Sequence, residues 1–169
     1  MLRAIQIART LMRLLPAPAA SGPIPPDAIS GGVNPTLEQF NAFKASPQNS
    51  TIHMFNLLKF KREAVNPDDG QIASGKRLYG EYYAPTATQC IFRLGGKIVA
   101  IGRYEFTLIG EGGEPSPGMW DDVVVAQYPS RAAFLRMLSN ARYQKAVKHR
   151  EAALECTELW ATSPIKGSG

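Results

Sequence analysis

Apolar and polar positions along the chain switch between strand and helix periods in a definite order. The stretch IHMFNLLKF, residues 52 to 60, has six apolar residues out of nine, with His53 and Lys59 towards its ends and Asn56 at its centre. It predicts a strand over about 51–60 that needs cover on both faces. Ahead of it, TLEQFNAFKA (36–45) opens with Thr36 and, three residues later, Gln39, which is the capping-box signature of a short helix. The turn residues of VNPDDGQIASG (65–75) predict a loop. From Ser74, residues Tyr79, Tyr83, Ala87, Cys90 and Leu94 recur at helical spacing, so a helix follows, kinked near Pro85 and ended by Gly95 and Gly96.

The second half repeats the alternation. KIVAIGRYEFTLIG (97–110) predicts a long strand, EGGEPSPG (111–118) a loop, and WDDVVVAQY (120–128) a third strand. Ser130 can cap a helix whose apolar stripe is Ala133, Phe134, Met137 and Leu138. Ser139 and Asn140 break it before a second helical piece through Ala153, and CTELWATSPI (156–165) predicts a fourth strand. The order β, α, β, β, α, β indicates an α+β protein of the ferredoxin-like, split βαβ type, with helices over one sheet face. Because the strands are apolar on both sides, the other face needs a partner. A second copy packed sheet to sheet, a dimeric α+β barrel, would supply it. The barrel domain is expected over 51–163, followed by a tail at 164–169.

The N-terminus follows a different pattern. In residues 1–15, Arg3, Gln6, Arg9, Thr10 and Arg13 align as one polar stripe opposite a wide apolar face, and Pro16 and Pro18 stop the helix. Recurring arginines exclude a transmembrane span. A secretory signal, an Arg-rich targeting segment, a helix docked on the protein itself and an interfacial membrane helix all remain open. Residues 16–50 are expected as a linker, rich in Pro, Gly, Ala and Ser over 16–35 and carrying the short helix.

Composition narrows the function classes. At 169 residues, 44% hydrophobic and a net charge of +5, the chain is long enough for one well-cored globular domain. Its basic residues form neither a run nor an aromatic-interleaved motif, so no nucleic-acid partner is expected. Cys90 and Cys156 lie in separate elements and read as reduced, half-buried thiols of a cytoplasmic protein, with peripheral membrane contact through residues 1–15 as one option. The two histidines are far apart and no carboxylate stands at ligand spacing, so neither a metal site nor a cofactor is expected. GEGGEP is followed by Pro115 and Pro117 rather than by a helix that could cradle phosphate.

Several separated segments resemble one family. HMFNLLKF, the tyrosine-bearing helix ending in GGK, WDDVVVAQYPSRAAFLRML and YQKAVKHREAAL arrive in the order found in the domain of unknown function thirteen-thirty family, over about residues 50–163. The resemblance implies the dimeric α+β barrel fold and supplies no reaction. Residues up to about Ser50 lie outside it.

Asn56 is the residue that most needs an explanation. A buried carboxamide without partners costs about 1 to 3 kcal/mol, so it is either a structural amide bonded to a neighbour such as Tyr83 or Asp121, or a group that orients a ligand in a barrel cavity. Asp121 and Tyr83 are the other candidate catalytic groups, the first as a base or orienting carboxylate. His53, Arg103 and Trp120 are candidate ligand contacts: a histidine at the start of the first strand, an arginine that would need an anion if buried, and an indole able to form a pocket wall. Asn56, Tyr83, Trp120 and Asp121 are expected to converge between the sheet and the tyrosine-bearing helix. His149, within KHRE, reads as a solvated surface histidine. Two functions compete: a protein that binds or converts a small, mostly apolar molecule in the cavity without metal, and a non-catalytic dimerisation or docking module worked by its basic N-terminal helix.

Overall fold

The computed structural model describes residues 22–47, 49–109 and 119–165. The helix expected over 1–15, the Gly/Pro loop at 111–118 and most of the tail lie outside the described residues. The elements are a 3-10 turn Pro26–Ile29, α1 Leu37–Ala45, β1 Ile52–Phe60, β2 Ala64–Val65, β3 Ile72–Ala73, α2 Gly75–Leu78, a π-helical turn Tyr79–Tyr83, α3 Ala84–Arg93, β4 Lys97–Arg103, β5 Asp122–Tyr128, α4 Arg131–Leu138, α5 Ala141–Ala153 and β6 Leu154–Thr162. Together they make an α+β fold. Four antiparallel strands in the order β4-β5-β1-β6 form one sheet, and β2 and β3 pair as a separate small hairpin.

Register decides which side chains meet. Met54 pairs with Ala126, Asn56 with Val124 and Ile52 with Tyr128, so even-numbered residues of β1 and β5 share the helix-facing side. Ile52, Met54, Ala126 and Tyr128 are buried there against Ala87, Cys90 and Ile91 of α3 and Phe134 and Met137 of α4. The opposite face carries His53, Phe55, Leu57 and Lys59 of β1, Val123, Val125 and Gln127 of β5, and Trp160 of β6. No helix covers that side among the described residues.

The helix boundaries follow their capping chemistry. Thr36 accepts the Gln39 N–H while the Gln39 side chain accepts the Thr36 N–H, the expected capping box. Ser74, Ser130 and Asn140 cap α2, α4 and α5 through their side-chain oxygens. At the end of α3, Gly96 N–H bonds to Ile91 O and Gly95 N–H to Phe92 O, with Gly95 at φ +79°, a Schellman closure that needs glycine. The expected kink near Pro85 takes a specific form. Proline has no N–H to donate to residue 81, and the chain widens upstream so that Ala84 N–H bonds to Tyr79 O, five residues back.

Four expectations change. The second strand ends at Arg103 rather than running to 110, because its partner β5 begins at Asp122, opposite Arg103, and among the described residues the pairing closes with the Tyr104 N–H bonded to Asp121 O at 3.0 Å. Part of the presumed loop folds as the β2–β3 hairpin. The described part of the presumed linker is docked: Phe43 meets Phe134 edge-on at 5.5 Å, Arg131 donates to Phe43 O, and Arg150 donates to Val33 O at 2.8 Å. Finally, Cys90 is buried and Cys156 exposed, instead of both being half-buried.

Candidate functional site

Between the helix-facing side of the sheet and the helices lies a cavity of about 560 Å³. Its floor is Met54, Asn56, Ile98, Ile101, Val124 and Ala126, its walls come from Tyr79, Tyr83, Thr88, Ile91, Tyr143 and Arg150, and Val33, Asn34, Phe40 and Phe43 close over it. Most of this lining is aliphatic or aromatic. The polar groups are in the minority, with the tyrosines, Thr88 and Arg150 on the helix side and Asn56 and Thr157 on the sheet, the usual make-up of a small-molecule pocket.

A tyrosine cluster forms that polar side. Tyr83 and Tyr143 hydroxyls are 3.0 Å apart, and Tyr79 packs against Tyr83 with ring centroids 4.8 Å apart. The π-helical turn sets this arrangement, since its extra residue changes the angular spacing between Tyr79 and Tyr83. Burial pushes the phenols of Tyr79, Tyr83 and Tyr143 above their ordinary value, with the Arg150 charge partly opposing it. At neutral pH they are therefore hydrogen-bond donors, not bases. Tyr128, whose hydroxyl donates to Met137 Sδ at 3.4 Å, is raised by burial as well.

These shifts carry a pH dependence. An unfolded tyrosine ionises near about pH 10, whereas the buried phenols stay protonated above it, so the unfolded state loses protons first. Stability is fully present below about pH 10 and falls as pH rises beyond it. Urea unfolding between pH 8 and 11 should show a flat midpoint followed by a decline, shallower in Tyr128→Phe. A midpoint of Tyr128→Phe that declines as steeply as wild type would contradict the assignment.

Asn56 bonds to the backbone and also lines the cavity. Its Nδ2 donates to Val124 O at 3.1 Å and Met54 O at 3.2 Å, so its partners are backbone carbonyls and not Tyr83 or Asp121. Its Oδ1 has no partner among the described residues, and the residue belongs to the cavity floor. Asn56→Leu should lower unfolding free energy by about 1 to 2 kcal/mol through the two lost donors. Calorimetric unfolding identical to wild type would show that these bonds do not hold the strand.

The remaining candidates are not brought together. Asp121 Oδ2 accepts the Phe60 N–H at 2.7 Å and Oδ1 lies 3.6 Å from Lys59 Nζ, while its backbone N–H donates to Leu58 O. It ties off the end of β1. Trp120, half-buried beside it, is likewise not part of the cavity lining. His53 lies on the other sheet face, 3.3 Å from Gln127 Oε1. Arg103 is exposed at the end of the edge strand, which removes the burial cost that called for an anion. His149 is not solvated: it is 5% exposed, stacks on Tyr82 and meets Asp68 Oδ2 at 2.9 Å, because the loop between β2 and β3 folds over it.

The residues that sequence reasoning missed lie on α5. Tyr143, Ala146, Val147 and Arg150 follow the i, i+3, i+4, i+7 spacing of one helix face, and an arginine completing an otherwise buried stripe was the available signal.

The family pattern described as domain of unknown function (DUF1330) matches residues 74–162, from the cap of α2 to the end of β6. The chain belongs to this family. The crystal structure of the methylated RPA0582 protein is similar at 39% identity and a TM-score of 0.70, covering 82% of this chain and 98% of that one. A second structure, of the RPA0582 protein of unknown function from Rhodopseudomonas palustris, gives 39% identity and a TM-score of 0.69 over 80% of this chain and 98% of that one. No curated protein matches. The DUF1330 match begins after α1 and β1, so the strap over the cavity lies outside it. Among the described residues, no helix is long and apolar enough to cross a membrane.

Proposed function

We propose that this DUF1330 protein binds a small, mostly apolar molecule in the cavity between sheet and helices, as a homodimer joined through its sheets. The observation that carries the reading is the cavity itself: about 560 Å³, mostly apolar on the sheet side apart from Asn56 and Thr157, with the tyrosine hydroxyls and Arg150 on the helix wall. The element order, with strands arranged β4-β5-β1-β6, supports the ferredoxin-like arrangement, and the unhelixed face bearing Phe55, Leu57, Val123 and Val125 supports closure as a dimeric α+β barrel. The protonated tyrosines favour holding a ligand over abstracting its protons. The docking-module reading rests on residues 1–15, outside the described residues.

Thr88 gives a direct test. It is a half-buried wall residue of the cavity, so Thr88→Trp fills space with little disturbance of the core. Wild type should bind the neutral dye Nile red with a blue-shifted emission, and Thr88→Trp should lose that signal while unfolding cooperatively. Equal dye binding by both would place it elsewhere and remove the support for a cavity site.

A further inference from the structure

The polar wall of the cavity has more hydrogen-bond donors than the protein itself uses. The Tyr83 and Tyr143 hydroxyls carry two hydrogens between them, and their mutual bond uses one. Neither hydroxyl has another acceptor among the described residues, so one O–H is left over in a buried setting. Arg150, half-buried on the same wall, also has spare donors. Its Nη1 donates to Val33 O at 2.8 Å and Asn34 Oδ1 at 3.2 Å, both neutral acceptors, while Nε and Nη2 have none among the described residues. It makes no ion pair there either.

Neither Glu151 nor Glu158 bonds to Arg150 directly. Glu151 accepts from Asn34 Nδ2 at 2.6 Å, and Glu158, which also reaches the lining, accepts the Trp160 indole N–H at 2.9 Å. Arg150 is thus a half-buried cation without a direct ion-pair partner among the described residues, reached by Glu151 only through the Asn34 amide, and it shares a cavity wall with a spare hydroxyl donor. An arginine fork and an O–H donor on one side suit a planar anion.

We infer that this end of the cavity recognises the carboxylate of a small apolar acid, with Arg150 supplying the charge and the Tyr83–Tyr143 pair an O–H donor. The inference rests on the cavity reading above. The apolar body of the acid lies over Met54, Ile98, Val124 and Ala126, and its carboxylate faces α5. Because Arg150 also holds Val33 and Asn34, the acid shares its anchor with the strap that covers it.

Titration calorimetry with octanoate and 1-octanol, matched in chain and differing in head group, is the test. Wild type should bind octanoate about tenfold more tightly than octanol or better, the scale of one charge-assisted contact. Arg150→Met should bring the two affinities level. Because that variant can also loosen the strap, the paired substitution Tyr83→Phe with Tyr143→Phe is the second arm. It leaves Arg150 and its strap contacts in place and should weaken octanoate by about three- to tenfold while octanol stays within about twofold. Equal affinities for the two probes in wild type would overturn the carboxylate inference and leave the cavity reading standing. Binding of neither probe would overturn both. Full octanoate preference in the tyrosine pair variant would remove the hydroxyls from the site.

Discussion

Replacing Gly75 by alanine should destabilise the fold by about 3 kcal/mol or more, beyond the usual range for an overpacked position. Gly75 is the first residue of α2, and three chain segments meet at it. Its N–H donates to Lys61 O, and Lys61 N–H in turn donates to Ala153 O at the end of α5. A Cβ there would stand 2.1 Å from Ala153 O and 2.9 Å from both Lys61 N and Lys61 O. All three are backbone atoms, so no side-chain rotation relieves the clash. The junction must open, which displaces either the end of β1 or the turn from α5 into β6. Gly80 supplies the control. An added Cβ there meets nothing within 4 Å, so Gly80→Ala should be neutral within about 0.5 kcal/mol. Urea unfolding of both variants checks this pair. Equal midpoints for Gly75→Ala and wild type would mean that the three segments do not meet as described.

The second large effect concerns association. Phe55 lies on the sheet face without helices, between Val125 and Trp160 on the neighbouring strands. In the proposed dimer this face is covered by its own copy, and Phe55→Lys would bury an unpaired ammonium twice, once per chain. A buried charge left uncompensated costs about 3 to 5 kcal/mol, so the dimer dissociation constant should rise about a thousandfold or more. Sedimentation equilibrium should then give a dimer for wild type and a folded monomer for Phe55→Lys at micromolar concentration. If the face were open to solvent, lysine there would be tolerated and the mass unchanged. A wild-type monomer, or a variant that stays dimeric, would remove the sheet-to-sheet barrel.

Much of the fold could be read in the sequence because local chemistry and global position agree. Thr36, Ser130 and Gly95 each mark a boundary with the cap that the structure shows. The β, α, β, β, α, β order follows from where apolar spacing changes period. What was not legible depends on partners distant in sequence. TLIG continues the apolar character of β4, but the strand stops where β5 no longer runs opposite it. His149 looks solvated within KHRE until Asp68, 81 residues away, and Tyr82 close over it. The strap over 33–43 has the composition of a linker, and only its contacts with Arg131, Phe134 and Arg150 make it part of the cavity.

The candidate site divides in the same way. Of the candidates read from the sequence, Asn56 and Tyr83 both line the cavity. Trp120 and Asp121 sit just before β5, where parity no longer predicts direction, and Asp121 turns to the Phe60 N–H at the end of β1. Tyr143 and Arg150 were overlooked because α5 reads as a charged helix, and its buried stripe is narrow.

Native mass spectrometry of the freshly purified protein tests the central claim, a ligand-holding cavity, most directly. The expected spectrum shows a species heavier than the bare chains by a small molecule, lost on denaturation and missing from Thr88→Trp. A wild-type spectrum at the bare mass, indistinguishable from that of Thr88→Trp, would contradict it.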